Sequence, residues 1–484
     1  MDFIDHGTNR IIILCGKYEG RTKHCADFLY GELAPKVPYI LTITEEHNFP
    51  EDKYGEFNII AVGTTENNAF LKKLCDKNLL TAPENPEGYK IKIFDNPFNA
   101  EKQIFALTGG GDSGALYAVS EFCQRYLQYA EQTHDHNHYF IPSFTQKMPE
   151  CDYEQSPKIS ERGIWTWGHV IFDFKRFADN MVRLKMNTLI IWNDHAPLNA
   201  KEMVDYAHLS GIKLIWGISF GWGYDYDISD SGALEKIVDD ALDNYEKNYS
   251  HTGCDGLYFQ TFTETESSDK NGMSIAAQAA SFVNLARRKA TERFGNIRLQ
   301  FGLHATSVKE NTEELQSVSN DVEIVWEDCG AFPFAYVAKK ADKFEETCEL
   351  VKKVANLRGE DDNFSVVLKG LCCLDWSIFE HQKGSFIAGK YCARDVSARY
   401  EQKKKVWRYQ NAYWLKNADK AHAMMNVIQN ETNGKTMVAA LIEDGLFEEK
   451  INLGAAVMGM LMWDCERDIK DTLCDAALLP DVEF

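Results

Sequence analysis

The chain has 484 residues, 44% of them hydrophobic and 12% aromatic, which is long enough for two or three domains and apolar enough to fill their cores. A formal net charge of −21 repels phosphate backbones and anionic lipid surfaces, so nucleic acids and membranes are disfavoured as partners. No stretch approaches the roughly 20 apolar residues of a membrane span, and the first residues lack the pattern of a secretory signal. The 13 cysteines are scattered without metal-like spacing, which is typical of reduced thiols and predicts a cytoplasmic protein.

Residues 1–150 predict a small α+β domain. Strand-like runs alternate with segments of helical spacing, at residues 10–14, 58–62, 89–94 and 103–107. The run at 89–94 alternates with period two, which indicates a half-exposed antiparallel strand whose partner is 103–107. The glycine-rich segment Thr108–Gly114 lacks the Lys-Ser/Thr of a phosphate-binding loop, so a tight turn into a helix is the favoured interpretation.

Residues 151–395 contain a series of apolar runs separated by segments of helical spacing. Seven runs can be placed as strands, at residues 163–167, 188–192, 213–217, 256–260, 297–301, 322–326 and 364–369. Strands that alternate with helices indicate βα units, and this many in series predicts a (β/α)8 TIM barrel of the α/β class. Residues 371–376 either extend the seventh strand or form a short eighth.

Residues 396–484 predict a helical C-terminal region that follows the barrel. Its long amphipathic segment carries four aromatic residues, Trp407, Tyr409, Tyr413 and Trp414. These side chains either pack on the barrel or dock a second subunit, so a homodimer through the C-terminal helices is an open alternative.

Carboxylic acids follow two of the predicted barrel strands, where the active sites of TIM barrels lie. Glu264 follows the fourth strand, and Glu327 and Asp328 follow the sixth. Glycoside hydrolysis usually needs one carboxyl as acid and another as base or nucleophile. We therefore predict Glu264 as the acid, kept protonated by partial burial, with Glu266 as its rival. Glu327 is predicted as the base and Asp328 as a residue that orients it. The simpler explanation for Glu264 and Glu266 is that they lie at the start of the next helix, and the simpler explanation for Glu327 and Asp328 is a turn.

Aromatic and polar residues near the strand ends are the expected sugar contacts. Aromatic faces stack on pyranose rings, and a few polar groups fix the hydroxyls. The predicted substrate-binding residues are Arg162, Trp167, His169, Trp192, Asn193, Asp194, Trp216, Trp222, Tyr258, Gln260, His304 and Lys369. A single tryptophan is more often a core residue, and Arg162, at a strand start, could instead form a structural ion pair.

Three segments resemble a group of two-domain glycosidases: Gly109–Phe122 at the end of the first domain, Glu161–Gly163 at the start of the barrel, and Leu184–Leu189 before the second strand. The group comprises the hexosaminidases of glycoside hydrolase families 20 and 84 and the α-glucuronidases of family 67. The resemblance implies an N-terminal α+β domain, a catalytic TIM barrel, hydrolysis of oligosaccharides without a cofactor and, from family 67, inversion of configuration.

This sequence departs from that pattern at three positions. No adjacent Asp-Glu pair follows the fourth strand, where family 20 has one. The fifth strand ends in Leu303 and His304 rather than a carboxylate, and Gln260 stands where family 67 has a basic residue. The resemblance therefore implies a reaction class and leaves the sugar open.

Two other classes of function remain possible from the sequence. A metal-dependent hydrolase or isomerase would use imidazole and carboxylate ligands, for which the candidates are His169, Asp194, His195, His304 and Asp328. The spacing of these residues is weak for a metal site, so we expect none. A carbohydrate-binding protein without catalytic activity is the second alternative.

Overall fold

The computed structural model describes residues 11–35, 41–127, 132–134, 142–144, 148–221, 226–304, 307–329, 341–359, 363–369, 371, 381–442 and 447–483. The chain divides into two compact units. One comprises Met1–Pro157 with Leu209–Gly211, and the other comprises Lys158–His208 with Ile212–Phe484.

The first unit is built on a six-stranded mixed sheet. The eight strands described in this unit are β1 (Ile11–Cys15), β2 (Leu41–Glu45), β3 (Asn58–Gly63), β4 (Tyr89–Asp95), β5 (Gln103–Gly109), β6 (Gln132–His134), β7 (Pro142–Phe144) and β8 (Cys151–Gln155). Its helices are α1 (Gly20–Leu33), α2 (Ala69–Asp76) and α3 (Asp112–Phe122). The sheet order is β2-β1-β3-β5-β4-β8, and β6 pairs with β7 separately.

The antiparallel pair predicted from the period-two pattern is confirmed, because β4 runs antiparallel to β5 in register Ile91 to Leu107. The glycine-rich segment forms a tight turn into α3. A β-carbon on Gly109 would collide with the backbone of Gly111 and Ala115, so close approach of the strand and the helix requires glycine there.

The second unit contains a closed barrel of eight parallel strands, which confirms the predicted TIM barrel. The strands of this unit are β9 (Glu161–Trp167), β10 (Thr188–Trp192), β11 (Lys213–Ser219), β12 (Gly256–Gln260), β13 (Asp269–Lys270), β14 (Met273–Ser274), β15 (Leu299–Leu303), β16 (Val322–Cys329), β17 (Phe364–Leu368), β18 (Met437–Leu441), β19 (Ile451–Asn452) and β20 (Val482–Glu483). The barrel order is β10-β11-β12-β15-β16-β17-β18-β9, so β9 is the first barrel strand and β18 the eighth.

Helices surround and follow the barrel strands. They are α4 (Phe174–Arg183), α5 (Ala200–Leu209), α6 (Ser231–Asn248), α7 (Ile275–Phe294), α8 (Phe344–Ala355), α9 (Ala393–Thr432), α10 (Leu453–Trp463) and α11 (Ile469–Ala477). Helices α10 and α11 form the helical region after the eighth strand. None of the helices in the described ranges is both long enough and apolar enough to cross a membrane.

The eighth strand corrects the predicted end of the barrel. It lies at Met437–Leu441 and pairs with both β17 and β9, so the barrel closes well beyond residue 395 and not at residues 371–376. The connection that precedes it is α9, a helix of 40 residues and thus about 60 Å long. Because this helix is so long, the sequence predicted residues 396–484 as a helical region that follows the barrel, although they include its eighth strand.

Alternate residues of each barrel strand point inwards. At the amino-terminal end, the inward carboxylates of Glu161 and Glu323 both pair with Arg298, at 2.7 and 2.8 Å. Above this ionic layer, Trp165 stacks on Trp192 with ring centroids 6.2 Å apart, and both contact Tyr258. The polar residues at the C-terminal mouth therefore lie above a buried aromatic layer.

Two of the four aromatic residues singled out on the C-terminal helix are core residues. Trp407 and Trp414 are buried, whereas Tyr409 is 58% exposed and its hydroxyl donates to that of Tyr413 at 3.2 Å. The homodimer remains a prediction.

Candidate active site

Glu327 is the centre of a polar cluster at the C-terminal mouth of the barrel. It lies near the end of β16, the sixth strand, and is 2% exposed. Its position follows from alternation along the strand, because Glu323, Val325 and Glu327 share the inward face. A buried carboxylate requires hydrogen-bond donors or a counter-charge, and the neighbouring strands supply both.

Hydrogen-bond donors and a positive charge from three strands surround the Glu327 carboxylate. Tyr258 and Gln260 come from β12, the fourth strand: the Tyr258 hydroxyl donates to Oε1, and Gln260 Nε2 lies 2.7 Å from Oε1 and 2.8 Å from Oε2. His304, directly after the fifth strand, places Nε2 2.7 Å from Oε2. Lys369, directly after the seventh, holds its ammonium group 3.6 Å from Oε2. These contacts stabilise the ionised carboxylate.

The loop after the fourth strand is fixed to the loop after the fifth. The buried hydroxyl of Thr263 accepts from the backbone N–H of His304 at 3.3 Å, and the carbonyl of Thr263 accepts from Ser307 at 2.6 Å. This connection positions His304 beside Glu327. It also holds the chain immediately before Glu264.

Glu264 and Glu266 do not meet the expectation of partial burial. Both side chains are exposed on the loop after the fourth strand. The expected partial burial of Glu264 is therefore wrong. Glu264 nevertheless follows the strand that supplies Tyr258 and Gln260, so it belongs to the rim of the same mouth.

Trp167 and Trp192 stand at the mouth end of the first two strands. Trp167 is 7% exposed and its ring lies 6.0 Å from those of both Trp192 and His169. The interplanar angles of 68° and 66° place these rings edge to face. Trp192 also lies 6.3 Å from the ring of Tyr258, which links these aromatic residues to the cluster around Glu327.

A bridge between two loops was missed by the sequence analysis. Asp194, after the second strand, lies with Oδ2 3.0 Å from Nδ1 of His381 and accepts the backbone N–H of Gln382 at 3.2 Å. Gln382 Oε1 accepts the backbone N–H groups of Asp194 and His195 at 3.2 and 3.1 Å. The ring of His381 lies 5.9 Å from that of Trp167. No sequence pattern indicated that a segment so far along the chain would reach the second strand.

A second buried carboxyl follows the eighth strand. Glu448 Oε1 accepts the backbone N–H groups of Phe172 and Asp173, just before α4 begins. Its Oε2 has no hydrogen-bond partner among the residues that the structure describes. Burial raises the pKa of Glu448 from its ordinary 4.5 to about 7, against the lowering effect of the backbone donors.

Three of the residues predicted to bind substrate are buried among other parts of the protein. Arg162 is fully buried near the start of the first strand, where its guanidinium donates to the carbonyls of Ile159 and Lys185 and lies 5.2 Å from the Trp463 ring. Trp216 points out of the barrel and packs on Tyr249 at 5.2 Å. Asn193 is 3% exposed and donates to the Ile191 carbonyl at 3.4 Å.

For two of these residues the reason is the direction of the side chain. Arg162 and Trp216 occupy the outward positions of their strands, and Arg162 also lies at the end opposite the mouth. Two further predicted residues cannot be placed in the site: Trp222 lies outside the described residues, and of Asp328 the structure describes the strand position without the side chain.

The metal-site alternative gains no support from the described part of the chain. No group of three or more His, Cys, Asp or Glu side chains there is arranged to hold a metal ion. His304 contacts Glu327, whereas Asp194 contacts His381, so these candidate ligands belong to separate polar groups.

Known structures share this architecture at low sequence identity. CpGH84B matches with a TM-score of 0.54 and 13% identity over 98% of this chain and 71% of its own. BtGH115A, a family GH115 4-O-methyl-α-glucuronidase, matches with a TM-score of 0.51 and 14% identity over 95% of this chain and 61% of its own. The GH20 exo-β-N-acetylglucosaminidase from Vibrio harveyi matches with a TM-score of 0.51 and 11% identity over 100% of this chain and 76% of its own.

These matches confirm the predicted likeness to families 20 and 84 at the level of the fold. No family model matches the sequence, and no curated protein matches it either. The fold is therefore that of two-domain glycoside hydrolases, with a carboxylate-centred cluster where TIM barrels carry their active sites.

Proposed function

We propose that this protein is a glycoside hydrolase that cleaves O-glycosidic bonds of oligosaccharides by acid/base catalysis at the C-terminal mouth of the barrel. The observation that carries the proposal is the buried Glu327 carboxylate, which Gln260 and His304 hold at the mouth beside the ammonium group of Lys369. The fold shared with enzymes of families 84, 115 and 20 supports the reaction class and leaves the sugar open.

In this proposal Glu327 is the base that activates water. An ionised carboxylate is required for that role, and the contacts of Tyr258 and Gln260 favour it. The ammonium of Lys369, at 3.6 Å from Oε2, is beyond direct hydrogen-bond distance. Its positive charge nevertheless favours the ionised carboxylate, and the Lys369 side chain is 24% exposed towards the mouth.

Glu264 is the proposed acid that protonates the leaving oxygen. It is exposed at the rim, so a bound sugar would cover it and remove water from around its carboxyl. Desolvation favours the protonated form of a carboxyl, and substrate binding would thus prepare the acid. Glu266, two residues further and equally exposed, is the matched alternative.

Glu448 has the pKa expected of a general acid but not the placement. Its carboxyl is fully buried and bonds the backbone at the start of α4. A general acid must lie within hydrogen-bond reach of the leaving oxygen, and a carboxyl buried against the backbone of Phe172 and Asp173 does not provide that. We assign it a structural role.

Sugar contacts in the proposal come from the aromatic and polar residues at the mouth. Trp167 offers an aromatic surface beside His169 and His381, and Asp194 orients His381. We further propose inversion of configuration, which requires the two carboxyls to lie about 6.5–9.5 Å apart across the scissile bond.

A panel of aryl glycosides tests the proposed function. We expect hydrolysis of at least one among a hexosaminide, a glucuronide, a glucoside and a galactoside, and proton NMR of the first-formed anomer reports inversion or retention. Glu327→Gln should lower kcat by about 10²–10⁴. Sugar binding without turnover in the wild type would indicate a carbohydrate-binding protein and contradict the proposal.

The comparison of Glu264→Gln with Glu266→Gln identifies the acid. Loss of a proton donor slows substrates with poor leaving groups most, because an activated phenol departs without protonation. We expect this dependence on the leaving group for Glu264→Gln and wild-type behaviour for Glu266→Gln. The reverse result would move the role to Glu266.

A further inference from the structure

The fourth strand reaches Glu327 across the fifth strand. In the barrel β15 lies between β12 and β16, with Gln260 beside Gly302 and Gly302 beside Val325. Side chains of the fourth strand can contact a carboxylate of the sixth only if the strand between them leaves the space open. Gly302 does so, because a β-carbon there would collide with the Tyr258 hydroxyl and with Oε1 of Glu327.

Both contacts from the fourth strand come from neutral donors. The Tyr258 hydroxyl donates to Oε1, and Gln260 Nε2 faces both oxygens at 2.7 and 2.8 Å. A protonated carboxyl has less acceptor capacity than a carboxylate, and its own proton would oppose one of these donors. Burial by itself favours the protonated carboxyl, so the surrounding groups determine which form is present at this 2% exposed position. His304, with Nε2 2.7 Å from Oε2, and Lys369, with its ammonium 3.6 Å from Oε2, face the other side of the carboxyl, and the two fourth-strand donors act together with them.

We propose that Tyr258 and Gln260 are positioning residues that hold Glu327 ionised and in one orientation, so that Glu327 is the anionic partner of the reaction and not its proton donor. This inference rests on the proposed function and names the residues that keep its base ionised and oriented. It also reassigns Tyr258 and Gln260, which the sequence suggested as sugar ligands.

Two substitutions separate this role from a merely structural one. Tyr258→Phe removes one donor and little volume. Gln260→Glu keeps the shape but places a second carboxylate against Glu327, and two carboxylates in contact do not both ionise near neutral pH. Tyr245→Phe is the control for the first substitution, because Tyr245 is a buried tyrosine of α6 next to Cys254. Gln429→Glu is the control for the second, because Gln429 is a half-buried residue of α9.

The first measurement is the pH dependence of kcat/KM on the aryl glycoside that the enzyme hydrolyses. We expect the acid limb to move to higher pH by about one unit in Tyr258→Phe and further in Gln260→Glu. At neutral pH kcat should fall by about tenfold or more while KM changes less. Acid limbs that stay in place in both variants, with only a lower Tm, would overturn the proposal.

The second measurement does not depend on activity. Carboxyl ¹³C NMR of glutamate-labelled protein, with the Glu327 signal assigned by its loss in Glu327→Gln, follows ionisation directly. We expect the Glu327 signal to report protonation at higher pH in Tyr258→Phe than in the wild type. An unchanged titration contradicts the positioning role even if no glycoside is hydrolysed, whereas a changed titration without hydrolysis rejects the proposed function alone.

Discussion

Gln260 and Glu327, from the fourth and sixth strands, share a hydrogen-bonded contact in which one amide nitrogen lies 2.7 and 2.8 Å from the two carboxylate oxygens. His304 joins the same carboxylate from the fifth strand at 2.7 Å. Three consecutive strands of the barrel therefore determine the orientation of one acid. The predictions below test the cluster and the structure that supports it.

Gly302→Ala should impair catalysis more than stability. The new methyl group would meet the Tyr258 hydroxyl and the Glu327 carboxylate, both of which are ends of side chains that can shift, so the carboxylate is expected to move. We expect a fall in kcat of about 10²-fold, in line with displacement of a catalytic group, and a modest loss of Tm. Gly31→Ala is the control, because nothing lies within 4 Å of a β-carbon there in α1. Equal kcat in both variants and the wild type would contradict the prediction.

Glu448→Gln should alter how stability depends on pH. The folded pKa of about 7 lies above the ordinary value of 4.5, so the protonated carboxyl is favoured in the folded protein. The contribution of this carboxyl to the free energy of unfolding is complete below about pH 4.5 and is lost as the pH rises through 7. The difference between these limits is about 3 kcal/mol. The variant should gain Tm relative to the wild type between pH 5 and pH 8.

Thermal unfolding at pH 5, 6.5 and 8 checks this prediction. Glu449→Gln serves as the neighbouring control, since Glu449 pairs with Arg176 at the surface at 3.1 Å. A difference in Tm between Glu448→Gln and the wild type that stays constant across these pH values would show that Glu448 does not titrate in this window.

His381→Ala should weaken substrate binding without unfolding the protein. Its pair with Asp194 is partly exposed, with the His381 side chain 48% exposed, so the contribution to stability is small, about 0–1 kcal/mol. Its ring contacts Trp167 at the mouth, so we expect KM to rise roughly three- to tenfold with a smaller change in kcat. His208→Ala removes a similar histidine–aspartate pair, with Asp255 at 2.9 Å, and should leave KM unchanged. Parallel changes in the two variants would argue against a role at the mouth.

Arg162→Met should act on stability alone. The guanidinium donates to buried main-chain carbonyls, which lose their partner when it is removed. Each buried polar group left without a partner costs about 1–3 kcal/mol, so we expect a clear fall in the free energy of unfolding. KM of the protein that remains folded should equal that of the wild type. A raised KM at unchanged Tm would restore Arg162 as a substrate-binding residue.

The sequence by itself determined seven of the eight barrel strands and the strand ends at which the candidate site lies. Regular alternation of apolar runs and helical segments predicted the barrel, because strands and helices have different periods. The same runs placed Gln260, His304, Glu327 and Lys369 at strand ends, where a barrel gathers them. None of this required knowledge of which strands are neighbours.

The tertiary structure decided which face of each strand is inside and which distant segments meet. Both faces of a parallel barrel strand are apolar, so the sequence of a strand does not show which of its residues face the inside of the barrel. Only the structure shows that Trp216 points outwards and that Glu327 points inwards. Met437–Leu441 becomes the eighth strand because it completes the hydrogen bonding between β17 and β9. His381 reaches Asp194 through contacts between residues 187 positions apart, and such contacts leave no local pattern in the sequence.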